Sequence, residues 1–176
     1  NPSLPGLRNS LRNVATRAWI HSRWWTNDPD TLMVRHTQTQ LTGDEVLAQV
    51  TLIGLSGGLL LLSDDLESLP PERRALFSAL LPPLLEGMDV LDLFQKEMPE
   101  EVSVPIARPW GHWRLVGLFN WTQKPIERTL PAELSLDKRK PYHLFDFWER
   151  RYLRIEPGAL PPVFHLPPHG AALLGI

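Results

Sequence analysis

The sequence contains no cysteine, which excludes disulfide staples and thiolate metal sites together. That absence leans toward the cytoplasm over the secretory route without fixing the compartment, since many secreted proteins also lack cysteine. Long hydrophobic runs are missing as well. The longest greasy stretch, Leu59 to Leu62, has the length of a strand and falls far short of the about 20 residues that span a bilayer. No charged-then-apolar signal pattern is readable. Neither sign of charge is in excess: 18 Lys and Arg against 20 Asp and Glu give a net charge of -2, so there is no electrostatic ground for a nucleic acid or an anionic membrane as partner. Also absent are the phosphate-binding loop, the Gly-x-Gly-x-x-Gly turn and the Gly-x-Ser-x-Gly elbow, which leaves a nucleotide enzyme or a serine hydrolase without support. No metal centre or cofactor is expected. His165 and His169 are separated by Pro167-Pro168, which forbids the helix that would align two imidazoles on one ion.

What is present is enough to fold. The chain is 43% hydrophobic and 22% charged, a balance that supports a sizeable core and excludes disorder by composition. Eighteen prolines and seven tryptophans are many for 176 residues. The start, Asn1-Pro2-Ser3-Leu4-Pro5-Gly6, is loop-like and lacks methionine, which suggests a piece of something longer, although initiator removal explains it equally.

Leu7, Leu11, Val14 and Ala18 recur at helical spacing, with Arg8, Arg12, Asn13 and Arg17 on the other side, so a helix is expected from Leu7 to Trp19. Arg23-Trp24-Trp25-Thr26 reads as a strand ended by the turn Asn27-Asp28-Pro29-Asp30. Thr42-Gly43-Asp44-Glu45 has the pattern of a capping box, opening a helix with Val46, Val50 and Ile53 on its apolar face and Gly57-Gly58 at its stop. Leu59 to Leu62, apolar throughout, suits a strand covered on both faces, as in parallel sheets. After Ser63-Asp64-Asp65, Pro70-Pro71 open a helix carrying Leu76, Phe77, Leu80, Leu81 and Leu84.

Residues 23–85 thus alternate strand, loop, helix, the unit of α/β folds. Two parallel strands cannot stand alone. Either they borrow a sheet from another chain, or they end a barrel whose earlier strands are elsewhere, and the second reading is preferred. Residues 89–107 show no sustained period and read as a connector. From there on, His112–Asn120, Glu127–Leu130, Pro141–Phe147, Tyr152–Ile155, Val163–Leu166 and Ala171–Leu174 form short runs split by proline, glycine or charge, which suggests an antiparallel sandwich. The expected class is α/β plus β: the last repeats of a (β/α)₈ barrel over residues 1–88, a connector over 89–107 and an antiparallel β-sandwich over 108–176.

In a barrel of this kind, residues just past a strand's C-terminal end line the active-site mouth. That places Asn27, Asp28, Asp30, Asp64 and Asp65 as candidates for orienting sugar hydroxyls, with Trp25 beside them as a flat platform for a pyranose face. The bland alternative is that both acidic segments merely shape turns. Trp110, Trp113, Trp121 and Trp148 are expected to serve as core residues of the sandwich.

Trp25-Thr26-Asn27-Asp28-Pro29-Asp30, followed in order by Leu41-Thr42, Gly57-Gly58 and Ser63-Asp64-Asp65-Leu66, resembles the last barrel repeats of α-galactosidases, in particular the bacterial branch of glycoside hydrolase family 36. Leu118-Phe119-Asn120-Trp121, Phe145-Asp146-Phe147-Trp148 and Pro168-His169-Gly170-Ala171 are similar to that family's C-terminal β-sandwich. The resemblance implies a retaining glycosidase acting on terminal α-galactosides through two carboxylates. Both would precede the segment matching Leu7, so no catalytic residue is expected within this chain and no hydrolysis by it alone. It also implies that Asp30 lies at the galactose pocket, that the partners are a galactoside and the remainder of the barrel, and that homo-oligomerisation stays open. Thr31 stands where the family often has cysteine or methionine, which leaves the fine sugar preference open. Two alternatives remain: another glycosidase of the same architecture, acting on α-glucosides, N-acetylgalactosaminides or arabinopyranosides, and a non-catalytic sugar-binding or barrel-completing subunit.

Overall fold

The computed structural model describes residues 6–176; the loop-like reading of residues 1–5 lies outside the described residues. Helix α1 (Leu7–Thr16) buries Leu11, Val14 and Ala15, the stripe set by its three- and four-residue spacing. It ends sooner than expected, and Ala18–Ile20 form a 3₁₀ turn. Helix α2 (Gly43–Leu55) opens on the anticipated capping box: the Thr42 hydroxyl accepts from the Glu45 N–H at 3.2 Å, and the Glu45 carboxylate accepts from the Thr42 N–H at 2.8 Å. Val46, Val50 and Ile53 are buried, but so are Ala48, Gln49, Thr51, Leu52 and Leu55. This helix is enclosed on most sides because α1, helix α3 (Pro71–Ser78) and a sheet all pack on it. Its far end unwinds at Gly57, in the left-handed region with φ +66°.

The short parallel pair is β1 (Thr31–Leu32) and β2 (Leu61–Leu62), in register Thr31 to Leu61 and Leu32 to Leu62. The strand expected at Arg23–Thr26 does not form. That stretch is a tight turn, bridged only between His21 and Trp25. The Ser22 N–H donates to the Trp25 carbonyl at 2.8 Å, and the Arg23 and Trp24 N–H groups donate to the Ile20 carbonyl, so the groups a ladder would need are satisfied locally. The pairing strand therefore follows Asn27-Asp28-Pro29-Asp30 instead of preceding it. The second strand is covered on one face, not two: Leu60 and Leu62 pack on the core, while Leu59 and Leu61 remain 46% and 48% exposed.

The rest is predominantly antiparallel. Among the described residues a six-stranded sheet has the order β3 (Asp89–Val90), β4 (Glu101–Arg108), β5 (Gly111–Phe119), β10 (Ala171–Gly175), β7 (Tyr142–Asp146), β8 (Arg151–Ile155). A smaller pair joins β6 (Ile126–Arg128) to β9 (Phe164–Leu166). The short runs read from the sequence all reappear as strands. The expected connector does not stay a connector: residues 89–107 carry β3 and nearly all of β4, and β4 pairs along its whole length with β5. Charged and proline positions on β4 (Glu101, Pro105) mask its period, while Val102, Val104 and Ile106 alternate into the core.

Two apolar clusters cover the two faces of the sheet. One joins Val102, Val104, Ile106, Phe119 and Leu173 to α1 and α2; the other joins Val116, Leu118, Leu144, Ala172 and Leu174 to Leu130, Leu134, Phe164 and Leu166. Because side chains alternate along a strand, β5 and β10 feed both clusters. Trp113, Trp121 and Trp148 pack on the first cluster, as expected. Trp110 does not: in the turn between β4 and β5 it is 79% exposed.

Candidate functional site: the Trp25–Asp30 turn

Asn27 is buried and every polar atom of it is engaged. Its amide N–H donates to His21 Nδ1 at 3.1 Å, its side-chain NH₂ donates to the Arg17 carbonyl at 3.1 Å, and its carbonyl accepts from the Leu59 N–H at 3.2 Å. Its side-chain oxygen accepts from the Trp25 indole N–H at 3.0 Å. Asn27 therefore positions Trp25, and its amide keeps one further N–H and one further lone pair beyond these bonds. Gly58 lets this happen, since a Cβ there would stand 2.4 Å from the Asn27 carbonyl oxygen.

Held in this way, the Trp25 indole stands 52% exposed. It is flanked by Trp24, whose ring centroid lies 6.0 Å away, and Trp19 in turn lies 5.8 Å from Trp24. The exposed aromatic surface is thus larger than the single ring expected. The sequence reads Trp19 as the end of a helix and Trp24 as part of a strand; the turn is what gathers them with Trp25.

The carboxylates of the turn are pre-formed by local bonds. Asp28 accepts from the Asp30 N–H at 2.9 Å, and Asp30 accepts from the Thr31 N–H at 2.7 Å. Both side chains are exposed, and Asp30 sits at φ +69°, a left-handed conformation that aspartate tolerates and that marks a strained position. Each carboxylate keeps free lone pairs on the solvent side.

Asp64 and Asp65 differ. The Asp64 carboxylate is 1% exposed and turned inward, accepting from the Val34 and Arg35 N–H groups at 2.5 and 3.0 Å and from the Arg35 guanidinium. Asp65 is exposed and accepts from the Glu67 N–H at 3.1 Å, closing a turn. Asp30 and Asp64 share no partner. Because Asp28 and Asp30 lead into β1 whereas Asp64 and Asp65 follow β2, and the two strands run parallel, the acidic segments lie toward opposite ends of the pair. The expected convergence of two acidic strand tips is not seen; Trp25, Asn27, Asp28 and Asp30 form the coherent group.

A cleft of about 580 Å³ lies elsewhere, lined by Asp92, Lys96, Glu101, Arg128 and Glu133 among others, and by none of the residues expected to hold sugar. Burial pushes the Glu101 carboxyl up, and the neighbouring Asp92 and Glu133 charges add to this.

The chain superposes on α-galactosidase I of Mortierella vinacea with a TM-score of 0.68 at 14% identity, over 97% of this chain and 44% of that one. The fold is α-galactosidase-like. The Saccharomyces cerevisiae α-galactosidase solved with raffinose gives 0.66 at 13% identity, over 97% and 51% of the two chains. A family-27 β-L-arabinopyranosidase of Geobacillus stearothermophilus gives 0.64 at 16%, over 96% and 41%. The chain spans about half or less of the length of these enzymes. No protein-family model matches the sequence.

Proposed function

We propose that this chain is the C-terminal portion of a retaining α-galactosidase-like glycoside hydrolase, closest in its motifs to the bacterial branch of family 36. In this reading residues 1–88 end a (β/α)₈ barrel and the later strands form its C-terminal sandwich. The observation that carries the reading is the Trp25–Asn27 pair on an α-galactosidase-like fold: a half-exposed indole, fixed by a buried amide, beside two solvent-facing carboxylates. The half-open β2, with Leu61 and the preceding Leu59 about half exposed, supports a further strand or layer against it.

Trp25 would pack on the C–H face of a galactose ring, and Asp28 and Asp30 would accept hydrogen bonds from its hydroxyls. Asp64 would act at one remove by fixing the loop at residues 34–35, with Asp65 at its rim. The nucleophile and the acid would come from barrel strands outside this chain. One carboxylate attacks the anomeric carbon, the other protonates the leaving oxygen, and water then hydrolyses the glycosyl-enzyme. No cofactor takes part in that chemistry.

The test is a panel of aryl α-galactosides, α-glucosides, N-acetyl-α-galactosaminides and β-L-arabinopyranosides. It is run on a polypeptide joining this chain to a preceding barrel, and on residues 1–176 alone. Hydrolysis of the α-galactoside by the first and none by the second is the expected result. Turnover by the 176-residue chain, or a preference for another glycoside, overturns the reading. The arabinopyranosidase neighbour is the reason that sugar belongs in the panel.

A further inference from the structure

A second cleft, far along the chain from the Trp25 turn, has the makings of a ligand site. It measures about 420 Å³ and lies where the 3₁₀ turn Ala132–Leu134 and the segment that follows meet β8 and the loop after it. Its walls are mostly apolar: Leu130, Pro131, Leu136, Ile155, Ala159 and Pro161. Volume and lining fall in the range of small-molecule sites, which are largely apolar with a few placed polar groups.

Two hydrogen bonds fix the walls relative to each other. The Gly158 N–H donates to the Lys138 carbonyl at 2.7 Å, and the Asp137 N–H donates to the Tyr142 hydroxyl oxygen at 2.9 Å. The cleft is therefore present before any ligand arrives. Its charged lining is lopsided. Lys138 and Lys140 both line it, and among the described residues neither ammonium forms an ion pair or a side-chain hydrogen bond. Lys140 acts on Asp137 only through its charge, and that carboxylate is engaged by the Arg139 guanidinium through two hydrogen bonds. Glu156, the carboxylate in the lining, is paired with Arg154 at 3.1 Å. An apolar trough with two cations in its lining, neither in a contact ion pair, complements one kind of molecule.

We infer that this cleft binds a small ligand with an apolar body and a single anionic group, such as an alkyl or aryl carboxylate, the body lying along Leu136 and Ile155 and the carboxylate meeting Lys138 and Lys140. The site is independent of the glycosidase reading and would stand if that reading failed.

The experiment titrates the full 176-residue chain with octanoate and with octanamide, its uncharged counterpart, by calorimetry and by backbone amide NMR. Octanoate is expected to bind saturably, to shift the amides around residues 135–142 and 155–161, and to bind roughly three- to tenfold more tightly than octanamide, the range two partly exposed ion pairs supply. The Lys138→Ala/Lys140→Ala double variant should bring octanoate down to the affinity of octanamide without changing the folded spectrum. Ala159→Trp, which fills the trough, should abolish binding of both. Equal binding of acid and amide overturns the proposal. So does no saturation by roughly 5 mM, or shifts confined to Trp19, Trp24 and Trp25, which would mark nonspecific adsorption to the exposed indoles.

Discussion

The indole N–H of Trp148 donates to the hydroxyl of Thr51 at 2.8 Å, across 97 positions of sequence. Trp148 follows β7 and Thr51 lies in α2, so this bond fastens the helical half of the molecule to the sheet. Thr51 is buried and its hydroxyl in turn donates to the Leu47 carbonyl at 2.7 Å. Trp148→Phe keeps most of the ring and removes the donor. It should cost about 1 kcal/mol and lower the melting temperature by about 2–4 °C. Trp148→Ala, which also opens a cavity, should cost about 3–5 kcal/mol. Urea unfolding checks both, and equal costs for the two variants would remove the bond from the account.

Asp64 should prove a stability residue. Asp64→Ala strands the Val34 and Arg35 N–H groups beside a fully buried Val34, for a loss of about 3 kcal/mol. Asp64→Asn keeps an acceptor oxygen and should lose less. Should Asp64→Ala unfold at the wild-type urea midpoint, the inward bonds contribute nothing.

Asn27→Ala should release Trp25. Two hydrogen bonds disappear, one from the indole and one to the Arg17 carbonyl, at about 2 kcal/mol together. The indole ¹H–¹⁵N resonance of Trp25 should move toward the position of a free indole. An unmoved Trp25 resonance contradicts the positioning role.

Asp146 gives a pH signature. It is 3% exposed, and burial pushes its carboxyl above the ordinary value of 3.8, opposed by hydrogen bonds from backbone amides near Glu149. A carboxyl raised on folding binds its proton more tightly in the native state. Its contribution is therefore fully present below 3.8 and is lost as pH rises through the folded-state value. Asp146→Asn cannot ionise and still offers an oxygen to the Glu149 N–H. The variant should lose less stability than wild type between about pH 3 and 7, read from urea midpoints along that series. Parallel curves would show that the burial has no linked cost.

Much of the local structure was legible beforehand. The Thr42–Glu45 capping box, the proline-opened α3 and the short strands after residue 110 are written in patterns only a few residues long, and those patterns survive because near neighbours satisfy them. The turn at residues 21–26 was not legible in that way. Arg23-Trp24-Trp25-Thr26 has strand composition, yet its outcome depends on Ile20, His21 and Asn27 taking up its hydrogen bonds. Residues 89–107 failed for the converse reason. Glu101 and Pro105 blur the alternation of β4, and a strand declares itself there only through its pairing with β5.

The sequence by itself determined where helices begin, where the chain must turn, and that Trp25 to Asp30 is a distinctive segment. The tertiary structure alone decided which residues of the two acidic segments face water and which face inward. Asp28 and Asp64 are chemically the same group. What separates them is that β1 and β2 run parallel, so one acidic segment leads into the pair while the other is folded under the Val34–Arg35 loop, where buried N–H groups have to be satisfied.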